Sequence, residues 1–144
     1  MKFINKKPFF LTALFLFACS AETANTIEPE KKTIELAQIQ QQWVLVAIDK
    51  QAVNTKITST LTIAAGAKAT GNLACNHFFG TLELKDNRLR IDKMASTRKM
   101  CQGELNDIEL VVSSILGDWS AVSLSGNKLT LLGAAHSLNY TIQQ

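Results

Sequence analysis

Two cysteines and two histidines are the residues of this chain whose types suit nucleophilic or metal chemistry. Cys75 and Cys101, with His77 and His136, would be the ligands of a zinc site or the partners of a Cys–His nucleophile. One residue separates Cys75 from His77, whereas most zinc ligand pairs are separated by two to four residues. A nucleophile would also need a free thiol of low pKa. We therefore expect no catalytic residue, no metal site and no cofactor. A zinc site and a Cys–His nucleophile stay open as alternatives.

A third cysteine, Cys19, belongs to an export signal. Three lysines precede residues 9–17, an uncharged apolar run that is shorter than the roughly 20 residues of a membrane-spanning helix. Leu16, Ala18 and Cys19 then resemble the lipobox of bacterial lipoproteins. We expect residues 1–18 to be a lipoprotein signal peptide, cleaved before Cys19, which then carries the lipid. An ordinary cleaved signal with an incidental Cys19 is the alternative.

The export signal also predicts where the protein works and how its other cysteines behave. The residue after Cys19 is Ser20 and not Asp, a pattern typical of lipoproteins in the outer membrane that face the periplasm. In an oxidising compartment an even pair of cysteines usually bridges, so we expect a disulfide between Cys75 and Cys101. Two buried reduced thiols are the alternative.

The charge balance argues against a nucleic-acid partner. The chain has 15 basic and 12 acidic residues, and the excess lies in the three lysines of the signal. No basic stripe remains to bind phosphates after cleavage. The expected partners are the membrane, through the N-terminal lipid, and an envelope protein, and the chain itself is expected to be a monomer.

Composition divides the exported chain into a tether and one domain. Residues 19–33 are rich in Ala, Thr and Glu, with Pro29 and few large apolar side chains, so they cannot bury enough surface to order themselves. We expect this segment to be a flexible tether. Residues 34–144 have the size of one common domain.

Most of the domain alternates between apolar and polar residues, which is typical of strands. Turn residues separate these runs, among them residues 65–67 and the pair Asp86-Asn87, which suits a hairpin. The fold class is therefore mainly β, a β-rich α+β fold with a small antiparallel barrel-like sheet of about eight short strands. The expected strands are 43–48, 58–63, 68–72, 79–84, 88–91, 121–124, 128–132 and 137–142.

One segment has helical spacing instead. Apolar residues recur every three or four positions over residues 105–116. Glu104 and Asp107 suit the N-terminal end of this amphipathic helix, and Gly117 suits its C-terminal end. A second, short helix over residues 34–41 is weakly indicated.

Four blocks of this sequence resemble the META domain family. They are Trp43-Val44-Leu45, the segment from Gly71 to Gly80 around Cys75-Asn76, the run Thr97-Arg98-Lys99-Met100-Cys101, and the acidic-led helix. The resemblance implies a small antiparallel barrel with one helix, an association with the envelope and stress responses, and no defined biochemical activity. It assigns Gly71, Asn76, Gly80, Thr97 and Arg98 a structural role.

Two positions depart from the pattern of the family, and one residue has competing roles. Ala74 stands where many relatives have a second glycine, and His77 stands where arginine is common. We expect Arg98 to pair with an acidic residue such as Glu109, although its planar guanidinium also suits a carboxylate or phosphate ligand.

The functional expectation is a non-enzymatic, lipid-anchored envelope protein that supports heat or antibiotic tolerance through protein contacts. The first alternative is a small-ligand-binding barrel in the periplasm, which needs a concave apolar pocket. The second is a thiol- or metal-dependent enzyme, which needs Cys75 and Cys101 free and close to a histidine.

Overall fold

The computed structural model describes residues 32–143. The signal peptide 1–18, the lipidation of Cys19 and most of the tether 19–33 lie outside the described residues. The amide nitrogen of Asn87 donates to the carbonyl of Lys32 at 3.0 Å, and its oxygen accepts from the N–H of Ile34 at 2.7 Å. Lys32 and Ile34 therefore lie against the Asp86-Asn87 turn.

The domain is built from nine strands and two α-helices in the described residues. Each strand pairs antiparallel with its neighbours, and the first strand pairs with the last, which closes eight strands into a barrel. The elements are α1 (Leu36–Ile39), β1 (Gln42–Ile48), β2 (Gln51–Ala52), β3 (Thr60–Ala64), β4 (Lys68–Asn72), β5 (His77–Lys85), β6 (Arg88–Ser96), α2 (Glu104–Gly117), β7 (Ser120–Ser125), β8 (Lys128–Leu132) and β9 (Ser137–Ile142).

Alternating side chains fill the interior of the barrel. In β8, Leu129 and Leu131 are buried while their neighbours face outward, and β1, β3 and β9 show the same period of two. Trp43 is fully buried, and its indole N–H donates to the carbonyl of Ile39 in α1 at 2.9 Å. Helix α1 therefore covers the interior beside β1.

Helix α2 completes the core where two strands separate. Strands β6 and β7 pair only through Arg88 with Ala121 and Leu89 with Ser120, and α2 contacts β6 and β9. Its buried face is Ile108, Val112, Ile115 and Leu116. The apolar stripe of α2 thus occupies space that strand pairing leaves open.

The mainly β barrel and the amphipathic helix predicted from the sequence are confirmed. The Asp86-Asn87 hairpin is also present, with φ values of 51° and 55°. Strand β2 was not predicted, because Gln51–Ala52 is two residues long and both side chains are exposed. The short helix indicated over residues 34–41 is α1, a single turn.

No helix within residues 32–143 is long and apolar enough to cross a membrane.

Candidate functional site

The best-connected polar site of the domain lies where the β4–β5 loop meets the start of α2. Cys75 in that loop and Cys101, which precedes α2, are joined by a disulfide bond with Cα atoms 6.3 Å apart. This separation lies within the usual range for a disulfide. We call the disulfide, Asn76 and its partners Thr97, Lys99 and Glu109 the clamp.

Asn76 is the centre of the clamp. Its side chain is 3% exposed and makes four hydrogen bonds, which uses its full capacity as donor and acceptor. The amide nitrogen donates to Glu109 Oε1 at 2.8 Å and to the carbonyl of Lys99 at 3.2 Å. The amide oxygen accepts from Thr97 Oγ1 at 2.8 Å and from the N–H of Lys99 at 2.7 Å. One side chain therefore binds α2 and the chain that leaves β6.

Glu109 connects the loop to α2. Its two carboxylate oxygens accept from the backbone N–H and the side-chain amide of Asn76, each at 2.8 Å. The expected pairing of Glu109 with Arg98 is wrong, because no ion pair joins the two residues and the carboxylate accepts from Asn76 instead. Arg98 is exposed, and no acidic group of residues 32–143 lies within ion-pair distance of its guanidinium.

Thr97 ties the clamp to β5. Its hydroxyl donates to Asn76 and accepts from the N–H of His77 at 3.1 Å, while its own N–H donates to the carbonyl of His77 at 3.0 Å. The residues Asn76 and Thr97, which the sequence assigned to a structural motif, are thus brought together. Glu109 was not predicted as their partner, since a half-buried acid on a helix gives no sequence signal of its own.

The two motif glycines lie where a side chain would not fit. A Cβ at Gly71 would clash with the carbonyl oxygen of Thr60 and lie 2.8 Å from the ring of Phe78. A Cβ at Gly80 would clash with Ile91 and lie 3.0 Å from the carbonyl oxygen of Asp92, beside an irregularity in the β5–β6 register. Both glycines allow close strand packing.

Ala74 adopts a backbone conformation that normally requires glycine. Its φ is +123°, a region that side chains with a Cβ rarely enter. The loop therefore has a geometry suited to glycine, with an alanine in its place. Its N–H donates to Asn72 Oδ1 at 2.9 Å, which helps to hold the strained residue.

The histidines lie apart from the cysteines. In the described part of the chain, the possible metal-ligand group around the cysteines contains Cys75, Cys101 and Glu109, whose ligand atoms lie within 4.8 Å of one another. Neither His77 nor His136 belongs to that group. The set Cys75, His77, Cys101 and His136 considered from the sequence is therefore not assembled.

His136, which directly precedes β9, pairs instead with Asp49, which directly follows β1. The Nδ1 atom of His136 lies 2.6 Å from Asp49 Oδ2, and the Ser137 N–H donates to Asp49 Oδ1 at 2.7 Å. The hydrogen bond from His136, followed by that from Ser137, lowers the pKa of Asp49 below its usual range. This exposed corner fastens the turn after β1 to the start of β9.

A shallow groove of about 550 Å³ lies alongside β1, β3, β4 and β5. Its side chains are uncharged polar groups apart from Phe78 and His77, and no carboxylate, lysine or arginine lines it. The lining residues are Gln42, Thr58, Thr60, Thr62, Thr70, Gly71, Asn72, His77, Phe78 and Gln143.

These features define a class: a small closed antiparallel barrel with a filled interior, one packing helix and a disulfide that ties a loop to that helix. The model of the META domain matches residues 35–144. The chain belongs to the META domain family, and the resemblance drawn from its motifs is confirmed.

Similar proteins support the same assignment. The chain is 27% identical over 128 residues to the Heat shock protein HslJ of Escherichia coli (strain K12), a match that covers 87% of this chain and 91% of that protein. One NMR structure has a TM-score of 0.68 at 27% identity and covers 76% of this chain and 96% of its own. A second, from Burkholderia xenovorans, has a TM-score of 0.61 at 21% identity over 98% of this chain and 99% of its own, and supports the fold.

Proposed function

We propose that this protein is a non-enzymatic, lipid-anchored envelope protein that supports tolerance of heat or antibiotic stress through contacts with other envelope proteins. Its place is the outer membrane, facing the periplasm. The observation that carries the proposal is the clamp, whose disulfide and central Asn76 side chain are both engaged in holding the fold. The sulfurs of Cys75 and Cys101 are joined, and the side chain of Asn76 has no hydrogen-bonding capacity left.

The filled barrel supports a scaffold more than a carrier of small ligands. Buried side chains from the strands and from α2 form one continuous hydrophobic core. A small-ligand site of the usual kind needs a concave apolar cavity with a few convergent polar groups. The groove alongside β3 and β4 is shallow and polar, so it fits that description poorly.

The anchor part of the proposal rests on the lipobox-like sequence around Cys19 and on the envelope association of the family. In the native host, the wild-type protein should fractionate with the outer membrane, and intact mass should show acyl chains on Cys19. The Cys19→Ser variant should lose both properties. Wild-type protein that is found free in the periplasm without acyl chains contradicts the anchor.

The stress part has its own experiment. A deletion strain should grow more slowly than its parent at elevated temperature or under a cell-wall antibiotic, and the wild-type gene should restore growth. Crosslinking in intact cells should recover an envelope protein with the wild type. Normal growth of the deletion strain under both stresses, together with no crosslinked partner, contradicts this role.

The thiol-enzyme alternative is tested by mass alone. A bridged pair gains two hydrogen atoms when the reductant supplies two electrons and two protons are taken up, so the intact mass should rise by two hydrogens with reductant. A mass that does not change, with both thiols open to alkylation before reduction, would revive the enzyme alternative.

A further inference from the structure

The loop between β6 and α2 presents three neighbouring side chains that the clamp does not use. Arg98 and Lys99 are exposed, and Met100 is 97% exposed. A single exposed apolar side chain is ordinary by itself. Here it stands directly beside two cations, and we call these three residues the basic loop.

The clamp holds the backbone of the basic loop on both sides of Met100. On one side, the N–H and the carbonyl of Lys99 are both hydrogen-bonded to the side chain of Asn76. On the other side, Cys101 is joined to Cys75. Because the backbone is already ordered, a partner that binds these side chains does not have to offset the cost of ordering the loop.

The charges of the basic loop are available to a partner. No acidic group of residues 32–143 lies within ion-pair distance of Arg98 or Lys99. Glu109, the acid that the sequence suggested for Arg98, is held by Asn76. Glu104 and Asp107 follow in the first turn of α2, where they face the positive end of the helix dipole and part of their charge is offset.

We propose that the basic loop is a second membrane contact, with Arg98 and Lys99 on the phosphates of anionic phospholipids and the Met100 side chain among the acyl chains. Anionic lipid surfaces attract clustered Lys and Arg, and long side chains bring their charged ends to the phosphate level. A protein hot spot, in contrast, is usually an aromatic or Arg anchor enclosed by apolar neighbours. The basic loop has charged neighbours, which favours the lipid surface.

The proposal rests on the anchor described under Proposed function. Two basic residues and one methionine bind a vesicle weakly by themselves, but an anchored domain meets the membrane at high effective concentration. The 13 residues from Ser20 to Lys32 reach at most about 45 Å when extended. This length lets a small barrel turn the basic loop toward the leaflet that holds its lipid.

Vesicle binding without the anchor tests the loop separately. The chain from residue 19 onward, with Cys19→Ser, is sedimented with vesicles of phosphatidylglycerol or of phosphatidylcholine. The wild-type loop should partition preferentially to phosphatidylglycerol. The variant Arg98→Gln/Lys99→Gln should weaken that partitioning about thirtyfold, the equivalent of roughly 2 kcal/mol for two basic side chains. Free inorganic phosphate should not compete, since the contact needs an extended surface.

Matched control variants distinguish binding by the basic loop from a general effect of the protein's charge. Lys85→Gln/Lys128→Gln removes the same charge from exposed positions on β5 and β8, so it should change partitioning much less. Met100→Asp should weaken binding at least about tenfold, whereas Leu132→Asp, at a side chain that is 58% exposed, should not. Equal losses in both members of either pair overturn the proposal.

The anchored protein provides a direct measurement at Met100. In the lipidated chain reconstituted into phosphatidylglycerol vesicles, peroxide should oxidise Met100 several-fold more slowly than in phosphatidylcholine vesicles, with half-buried Met94 as the internal reference. Unchanged oxidation of Met100 overturns the loop contact, even where intact mass confirms the lipid on Cys19. Absence of the lipid with phosphatidylglycerol binding intact overturns the anchor and leaves the loop contact standing. Crosslinks from position 100 to a protein, with no vesicle binding, assign the loop to a protein partner instead.

Discussion

Asn76 and Tyr140 are two polar side chains that are almost equally buried but differ in their hydrogen bonding. Asn76 is 3% exposed and has a partner for every polar atom of its side chain. Tyr140, on β9, is 1% exposed, and its hydroxyl has no hydrogen-bond partner within the described residues. Burial also raises the pKa of Tyr140 well above its usual range. Burial alone therefore does not tell whether a polar group stabilises the fold. A buried polar group that has hydrogen-bond partners stabilises it, whereas one without partners destabilises it.

The largest effect should come from removing the centre of the clamp. Asn76→Ala leaves the backbone of Lys99 and one oxygen of Glu109 without their partner, so we expect the free energy of unfolding to fall by about 4 kcal/mol. Urea denaturation of the oxidised protein measures this loss.

The control is Asn54→Ala, which removes an exposed side chain with one local hydrogen bond, to the N–H of Lys56. That variant should lose less than about 1 kcal/mol. A similar loss in both variants would show that the network of Asn76 adds nothing beyond one hydrogen bond.

Removing the disulfide should have the next largest effect. Cys75 and Cys101 are separated by 26 positions, and opening that loop should lower the free energy of unfolding by about 3 to 3.5 kcal/mol on the chain-entropy model. Urea midpoints of wild type with and without reductant, and of Cys75→Ala/Cys101→Ala, measure it. A midpoint that stays constant while mass shows full reduction would assign the stability of the clamp to Asn76 alone.

Tyr140→Phe should stabilise the protein, by about 1.5 kcal/mol, because it removes a buried hydroxyl that has no partner and keeps the ring. Thermal and urea unfolding measure the change. Ser120→Ala is the matched opposite. Ser120 is 1% exposed and its hydroxyl donates to the carbonyl of Ile115 at 2.9 Å, so loss of the hydroxyl should cost about 1 kcal/mol. If Tyr140→Phe is less stable than wild type, the Tyr140 hydroxyl stabilises the fold as the Asn76 side chain does, and the contrast between them is wrong.

Ala74→Gly should stabilise the loop beside Asn76 by about 1 kcal/mol. Relief of strain at φ +123° outweighs the greater freedom of glycine in the unfolded chain. Ala121→Gly, on the exposed face of β7 and without a positive φ, should instead cost about 0.5 to 1 kcal/mol. The same sign in both variants would exclude backbone strain as the cause.

The smallest effect should be at the exposed corner of Asp49. Because the pKa of Asp49 is lowered in the folded state, its contribution to stability is present above the unfolded pKa, near 3.8, and is lost as the pH falls through the lower folded value. Asp49→Asn should therefore be less stable than wild type near neutral pH and equal to it at strongly acidic pH. Urea unfolding across that range measures the difference, and a gap that persists in acid would contradict the carboxylate as its source.

The sequence predicted the parts of the fold that repeat a simple period. Strand alternation, the Asp86-Asn87 turn and the helical stripe of residues 105–116 each depend on near neighbours, and each is present. Glu109 as the partner of Asn76 was missed, because the two residues are 33 positions apart and only the closed barrel brings them together. Charge complementarity suggested that Arg98 pairs with Glu109, but the carboxylate of Glu109 accepts hydrogen bonds from Asn76 instead.

The backbone of the Cys75 loop could be predicted only by analogy. Alanine at position 74 gives no indication of a positive φ, since alanine favours the helical and extended regions. The unpartnered hydroxyl of Tyr140 gives no sequence signal either, because the alternation of β9 places the ring inside whether or not its oxygen finds a donor or acceptor.

The pairing of β1 with β9 has a consequence for the order of events during folding. Trp43 lies opposite Ile142 across this seam, so the first strand gains its last neighbour only when nearly the whole chain is available to fold. Until then β1 and β8 each carry an open edge, the feature that invites strands of other chains to add. Contacts that join distant parts of a chain also form slowly. The interval before β1 and β9 pair is therefore when this chain is most exposed to aggregation.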